Sequence, residues 1–268
     1  MQTITENYMP GQTPDTLAFM AARNLESHGF FLAPLLQRGF HVLDVGCGPG
    51  TISLGAAAAV FPGRVEGVDL AAAPLENARR MVEGLEVVNA AFHQASAYQL
   101  PFADDTFDVV FSHALFEHLR EPMRALREMY RVTKPDGFVA LCSPDWDHFD
   151  LTPFSAEVAE ALAAYRYLQE ANGGNTRAGN QLGAWLQEAG FTVLDEEAWL
   201  EQYDDPRRIA AYLAAQLEAN GETTHATTLR QWAEEPGASF RQCWKFATAI
   251  RAEEGFAPRS AEYPEAGA

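Results

Sequence analysis

The chain has 268 residues, 47% of them hydrophobic, with 19 Lys and Arg against 37 Asp and Glu and a formal charge of −18. That length and apolar share suit one large domain with a sizeable core and exclude a disordered chain or a small disulfide scaffold. The acid surplus excludes a nucleic-acid surface, which needs clustered Lys and Arg against phosphates. Cys47, Cys142 and Cys243 stand far apart without Cys-x-x-Cys spacing, which suits a reducing compartment and no metal framework. Residues 1–12 are acid and polar where a leader would be basic and then apolar, and no stretch reaches the length of a membrane span. The expectation is a soluble, cytoplasmic protein with neither nucleic acid nor membrane as partner; a homodimer is compatible with it.

Apolar residues at helical spacing predict helices over 16–24 (Leu17, Met20, Ala21) and 29–37 (Phe30, Phe31, Leu35, Leu36). Then comes His-Val-Leu-Asp-Val-Gly-Cys-Gly-Pro-Gly-Thr over 41–51. Val42, Leu43 and Val45 read as a short buried strand, and the alanine-rich 51–60 as a helix. Strand, glycine turn and helix make a nucleotide-binding beginning, with a plain connecting turn as the alternative. Glycines let a ligand approach the backbone, and the helix start offers unpaired N–H donors.

Pro62-Gly63 ends that helix, and residues 65–70 read as a second strand with Asp69 at its carboxyl end. In a doubly wound sheet a carboxylate there lies beside the glycine loop and can take two hydrogen bonds from ribose hydroxyls; capping a helix over 71–80 is the competing role. A third strand is predicted over 85–92, followed by Ser96 and Ala97, and a fourth over 109–112 after Leu100-Pro101-Phe102 and Phe107-Asp108. His113 and His118 leave that strand at the edge where open α/β sheets bind ligands. An imidazole with an ordinary pKa near ~6.5 accepts a proton at neutral pH, so His118 is a candidate general base and His113 a candidate lining residue; a hydrogen-bonded structural role is the alternative for both. Pro122 opens a helix to Val132, Lys134-Pro135-Asp136-Gly137 turns, and 138–143 is a fifth strand.

Beyond it, helices are predicted over 155–171, 179–189, 206–219 and 224–234, with a sixth strand over 191–200; 244–251 alternates well enough for a seventh strand, while its alanines allow a helix. Asp145, Trp146, His148, Asn172, Asn175 and Arg177 are candidates for substrate contact. Asp145, Asp147 and His148 make a weak metal cluster with no second group to support it, so no metal is expected.

A dinucleotide fingerprint has Gly-x-Gly-x-x-Gly. Gly46, Cys47, Gly48, Pro49 and Gly50 give Gly-x-Gly-x-Gly after Asp44, which resembles the first motif of the class I S-adenosylmethionine (SAM)-dependent methyltransferases. The Leu-Pro-Phe to Phe-Asp-Val-Val pattern and the Lys-Pro-Asp-Gly turn resemble the same family, particularly its quinone-biosynthesis and small-molecule branch, and the likeness runs over 41–143. It implies a Rossmann-like α/β fold: a seven-stranded, mostly parallel sheet with helices on both faces and inserted helical cover over the active site. Domain 1–255 would comprise lid helices in 1–39, with Tyr8, Phe19 and Met20 as lid residues, a cofactor core over 40–143 and acceptor-side elements over 144–190 and 201–238. Residues 256–268 would be a flexible tail. SAM would lie with its methionine end on Asp44, Gly46, Cys47, Gly48 and Gly50, its ribose on Asp69, and its adenine by Leu70, Ser96 and Ala97, with His113 at the cleft wall. Ser96 stands where the family often has an acid. The implied activity is methyl transfer to an O, N or C nucleophile of a small molecule. A non-catalytic SAM binder, a SAM enzyme of other chemistry and, against the glycine spacing, a nicotinamide or flavin oxidoreductase are the alternatives.

Overall fold

A computed structural model describes residues 13–203 and 205–252. Tyr8 and the 256–268 tail lie outside the described residues. Seven strands form one sheet: β1 (His41–Val45), β2 (Arg64–Asp69), β3 (Ala90–Gln94), β4 (Phe107–His113), β5 (Thr133–Thr152), β6 (Thr192–Tyr203) and β7 (Ser239–Ile250). Their order is β3-β2-β1-β4-β5-β7-β6. The first five pair in parallel, and β7 runs antiparallel between β5 and β6. β1 therefore lies between β2 and β4, the point where strand order reverses and the carboxyl ends open a crevice.

Both faces of the sheet are buried, which is why β1 is a run of apolar residues and not an alternation. Val42, Val109, Phe111 and Ala140 pack on one face with Ile52, Ala56 and Val60 of α2 (Thr51–Val60). Leu43, Val45, Val110 and Leu141 pack on the other with Leu126 and Met129 of α4 (Pro122–Val132), the helix after α3 (Ala72–Gly84). A third apolar cluster joins Phe19 from the segment α1 (Pro14–Ala21) to Trp146, α5 (Ala156–Ala171), α7 (Pro206–Ala219) and α8 (Thr223–Ala233); α6 (Leu182–Glu188) joins the second cluster instead. The helical cover thus has a core of its own.

The fold matches the α/β expectation, with local differences that have physical causes. The segment 29–37 holds only a 3-10 turn at Ala33–Leu35, with Pro34 in its first turn, and no helix. β3 starts at Ala90 because α3 runs on to Gly84 and Glu86, at φ 52°, turns the chain first. The 134–137 turn is an outward excursion within a long β5. Pairing jumps from Phe107 opposite Thr133 to Val109 opposite Phe138, with Asp136 at φ 59°. β7 begins at Ser239, five residues before the predicted 244.

Candidate active site

The glycine turn leaves β1 with Gly46, Gly48 and Gly50 all at positive φ. At Gly50 the reason is packing: a Cβ there would fall 2.6 Å from Phe92 Cζ and 2.9 Å from Ala78 Cβ. At Gly48 the reason is access. A Cβ would meet only Met20 Cε, at 3.9 Å, so the buried peptide borders the cleft with room above it. Asp69 at the end of β2 ties this turn down: its Oδ2 accepts from Gly48 N–H at 2.9 Å and its Oδ1 from Ala71 N–H at 2.8 Å. Ala71 is the residue that precedes α3, so the carboxylate serves the helix start and faces the cleft at once. Burial raises the Asp69 carboxyl above its ordinary pKa, against the pull of those backbone donors.

Two clefts meet over the switch point. One, about 640 Å³ with its open water, is lined by Gly46, Asp69, Leu70, Ser96, Ala97 and His118 among others. The other, about 440 Å³, is lined by Met20, Arg23, Asp44, the 46–49 turn and His113. Gly46 and Ala114 border both. Ala114 holds φ 56°, a left-handed conformation that costs a residue with a Cβ about 1–2 kcal/mol. It turns the chain out of β4, and its N–H is held by Cys142 O at 2.9 Å. Ser96 Oγ accepts from Tyr98 N–H at 3.2 Å, which folds 96–99 into a tight turn on the cleft wall beside exposed Leu70. Asp44 is buried beneath the loop, where Ser53 Oγ donates to it at 2.5 Å. Burial pushes its carboxyl up to about 7; the Ser53 bond opposes the shift and the Asp69 charge adds to it.

The two histidines lie in different surroundings. His113 is buried and stacked on Trp244 at 4.9 Å, its Nε2 without a hydrogen-bond partner, and burial drops its pKa well below the ordinary value. His118 borders the larger cleft and a third cavity; burial first, then the Arg23 charge, lower it to about 4. Its neighbour Glu117 moves the opposite way. Burial raises that carboxyl to about 7, although Ser143 Oγ donates to Oε2 at 2.8 Å; His118 Nε2 stands 3.8 Å from Oε1.

The third cavity, about 310 Å³ with its open water, is bounded by Phe19, Arg23, Glu117, Trp146, Tyr165, Gln169, Tyr203, Tyr212, Gln242 and Trp244. Of the substrate-contact candidates only Trp146 reaches it. Asp145 is buried in hydrogen bonds to His148 Nδ1 (2.7 Å) and Asp147 N–H (3.1 Å), with His148 itself outward. Arg177 pairs with Asp147 at 3.5 Å, Asn175 Oδ1 caps Arg177 N–H at 2.9 Å, and Asn172 ends α5. No group of His, Cys, Asp and Glu among the described residues could hold a metal. Sequence reading missed Arg23, Glu117, Gln169 and Gln242. Only Glu117 had a signal, its place beside His118 at the end of β4.

A ligand edge at the strand reversal, a glycine turn lining the clefts and a carboxylate on the next strand define an α/β protein built to bind an adenosine-bearing cofactor. The sequence profile of the family described as "Methyltransferase domain" matches residues 43–141. An uncharacterized methyltransferase of Schizosaccharomyces pombe is 33% identical over 180 residues, 65% of this chain and 64% of its own length. Demethylmenaquinone methyltransferase of Listeria monocytogenes is 32% identical over 176 residues, 59% of this chain and 73% of its own. In structure, a Haemonchus contortus phospholethanolamine N-methyltransferase, solved with phosphomonomethylethanolamine and S-adenosylhomocysteine, superposes at TM-score 0.60 and 19% identity, over 94% of this chain and 61% of that one. The chain belongs to the family of SAM-dependent methyltransferases. It spans 64% of the length of the yeast relative.

Proposed function

We propose that this chain binds SAM across the two joined clefts and transfers its methyl group to a small-molecule nucleophile. The observation that carries the reading is the Gly48 turn held against Asp69 where the two clefts meet. Bound there, SAM supplies a methyl group on a sulfonium, with a neutral thioether as its leaving group. Asp69 would take the ribose hydroxyls through lone pairs not used by Gly48 and Ala71. Ser96, Ala97 and exposed Leu70 would flank the adenine, with hydroxyl and backbone groups in place of an acid. The 46–48 turn and Asp44 would meet the methionine end, and His113 would close the wall behind it as a neutral ring.

Glu117 suits the task of holding the acceptor's proton better than His118. A general base works best with a pKa near the working pH, and Glu117 sits at about 7 where His118 sits at about 4. Phe19 and Met20 support the lid role, since Phe19 borders the third cavity and Met20 the cleft over the glycine turn. Among the described residues no helix is long and apolar enough to cross a membrane. The three cysteines are free and buried, which supports a cytoplasmic setting. Exposed Leu194 and Leu200 on β6, an edge strand, support pairing of two copies, which light scattering would detect.

Calorimetry with S-adenosylhomocysteine tests the reading. One molecule should bind per chain, and Asp69→Ala should weaken binding about tenfold or more, the scale of a lost charge-assisted contact. No binding by the wild-type chain would overturn it.

A further inference from the structure

Arg23 follows α1 and is half-buried, its guanidinium 5.2 Å from the centre of the Trp244 ring and 5.3 Å from that of Phe19. Its backbone N–H is held by Met20 O at 3.2 Å, so the segment that carries Phe19 and Met20 also places this cation. Among the described residues Arg23 makes no ion pair, in a chain with 37 acids. The rings attract the cation and leave its fork of N–H donors unspent.

Arg23 borders the smaller of the two cofactor clefts, together with Asp44, the glycine turn, Thr51 and His113. Thr51 opens α2, whose preceding residue, Gly50, has no side chain to cap it and whose first turn holds no acid. The half-positive helix start is therefore unmet on the same cleft. On its other sides the field of Arg23 falls on Glu117, at the third cavity, and on Glu201, at an open cavity shared with His28 and Arg208, and it favours the ionisation of both. In the lining of the cofactor cleft the acid is Asp44, which burial holds at about 7 and which lies beneath the loop on Ser53. A cation, a helix start and an acid near its midpoint make the complement of a zwitterion.

We propose that Arg23 takes the carboxylate of the cofactor's amino-acid end, with the start of α2 beside it, while the ammonium turns toward Asp44, so that the segment after α1 sets the demand for a complete methionine moiety. The inference rests on the cofactor reading above and goes beyond it. The glycine turn meets the amino-acid end through its backbone and exerts no demand for a full negative charge. A guanidinium does, because it matches a carboxylate with two parallel N–H bonds. The same contact ties Phe19 and Met20 to the cofactor, since they stand within one short segment with Arg23.

SAM and decarboxylated SAM, which share the sulfonium and the amine and differ in one carboxylate, are titrated by calorimetry into the wild-type chain, Arg23→Gln and Arg23→Lys. The wild type should bind SAM at least about tenfold more tightly than the decarboxylated form. Arg23→Gln should bring SAM to within about twofold of the decarboxylated form, whose own affinity holds or rises once the cation is gone; Arg23→Lys should restore part of the difference. 5′-Methylthioadenosine, which has no amino-acid end, should bind all three proteins alike and so guards against misfolding. A wild type without the preference for SAM would overturn the proposal. So would an Arg23→Gln that keeps the wild-type preference, or one that weakens SAM and decarboxylated SAM alike, since Arg23 would then act by packing on Phe19 and Trp244. Should Arg23→Gln lose 5′-methylthioadenosine too, trypsin decides on the wild type: saturating SAM should shield the bond after Arg23 and decarboxylated SAM should not, and equal cleavage with the two would overturn the proposal. Failure of the wild-type chain to bind SAM and S-adenosylhomocysteine would instead overturn the cofactor reading itself.

Discussion

Glu117 and Asp44 are carboxyls that burial holds at about 7, far above their ordinary 4.5 and 3.8. The folded chain therefore keeps these protons longer than the unfolded chain does. The stability they contribute is complete below about pH 4 and is lost as pH rises to 7. Glu66, held at about 2 by His41, His93 and Arg64 in spite of its burial, works the other way and in a lower window. Glu117→Gln should accordingly flatten the fall in stability between pH 5 and 7.5 by an amount on the order of 2 kcal/mol, read as urea midpoints at the two pH values. A fall as steep as the wild type's would remove Glu117 from this role. Gly50 makes a second residue-scale prediction. Gly50→Ala adds a methyl 2.6 Å from Phe92 Cζ at φ 78°, and overpacking with backbone strain should lower stability by about 1–3 kcal/mol in the same assay. Asp69 and the glycine turn were legible in the sequence because they lie in short, local patterns. His118 was read from the ordinary pKa of an imidazole, and burial beside Arg23 reverses that order between it and Glu117.

At the scale of elements, the helical cover carries residues of the third cavity. α5 brings Tyr165 and Gln169 to the third cavity, and its start is capped by Ser155 Oγ accepting from Val158 N–H at 3.3 Å. Ser155→Ala should cost about 1 kcal/mol of stability in thermal unfolding and leave S-adenosylhomocysteine affinity unchanged, because α5 lines the third cavity and neither cofactor cleft. A large loss of affinity would show that the cover and the cofactor cleft are coupled. Strands β1, β2 and β4 and helices α2, α4, α5 and α7 stood in the sequence as apolar runs and helical spacing. β3 did not: Leu85, Val87 and Val88 mimic a strand, yet the first continues the turn from α3, and Leu85 and Val88 face solvent. The long β5 was masked by Pro135 and Gly137, which read as a break and sit in an excursion that the flanking pairs hold.

At the scale of the molecule, the topology assembles what the sequence scatters. Positions 23, 117, 169 and 242 share no local pattern; they meet because β7 inserts antiparallel beside β5 and α1 packs on α7. That is why the glycine turn and Asp69 stood in the sequence and this cavity did not. The central claim is that SAM occupies the joined clefts at the β1–β4 reversal. A crystal structure of the chain with S-adenosylhomocysteine tests it most directly. The account predicts ribose density within hydrogen-bond reach of Asp69, adenine between Leu70 and the 96–98 turn, and the amino-acid end along Gly46 to Gly48. Density for the ligand elsewhere on the chain, or none in this cleft at saturating ligand, would contradict it.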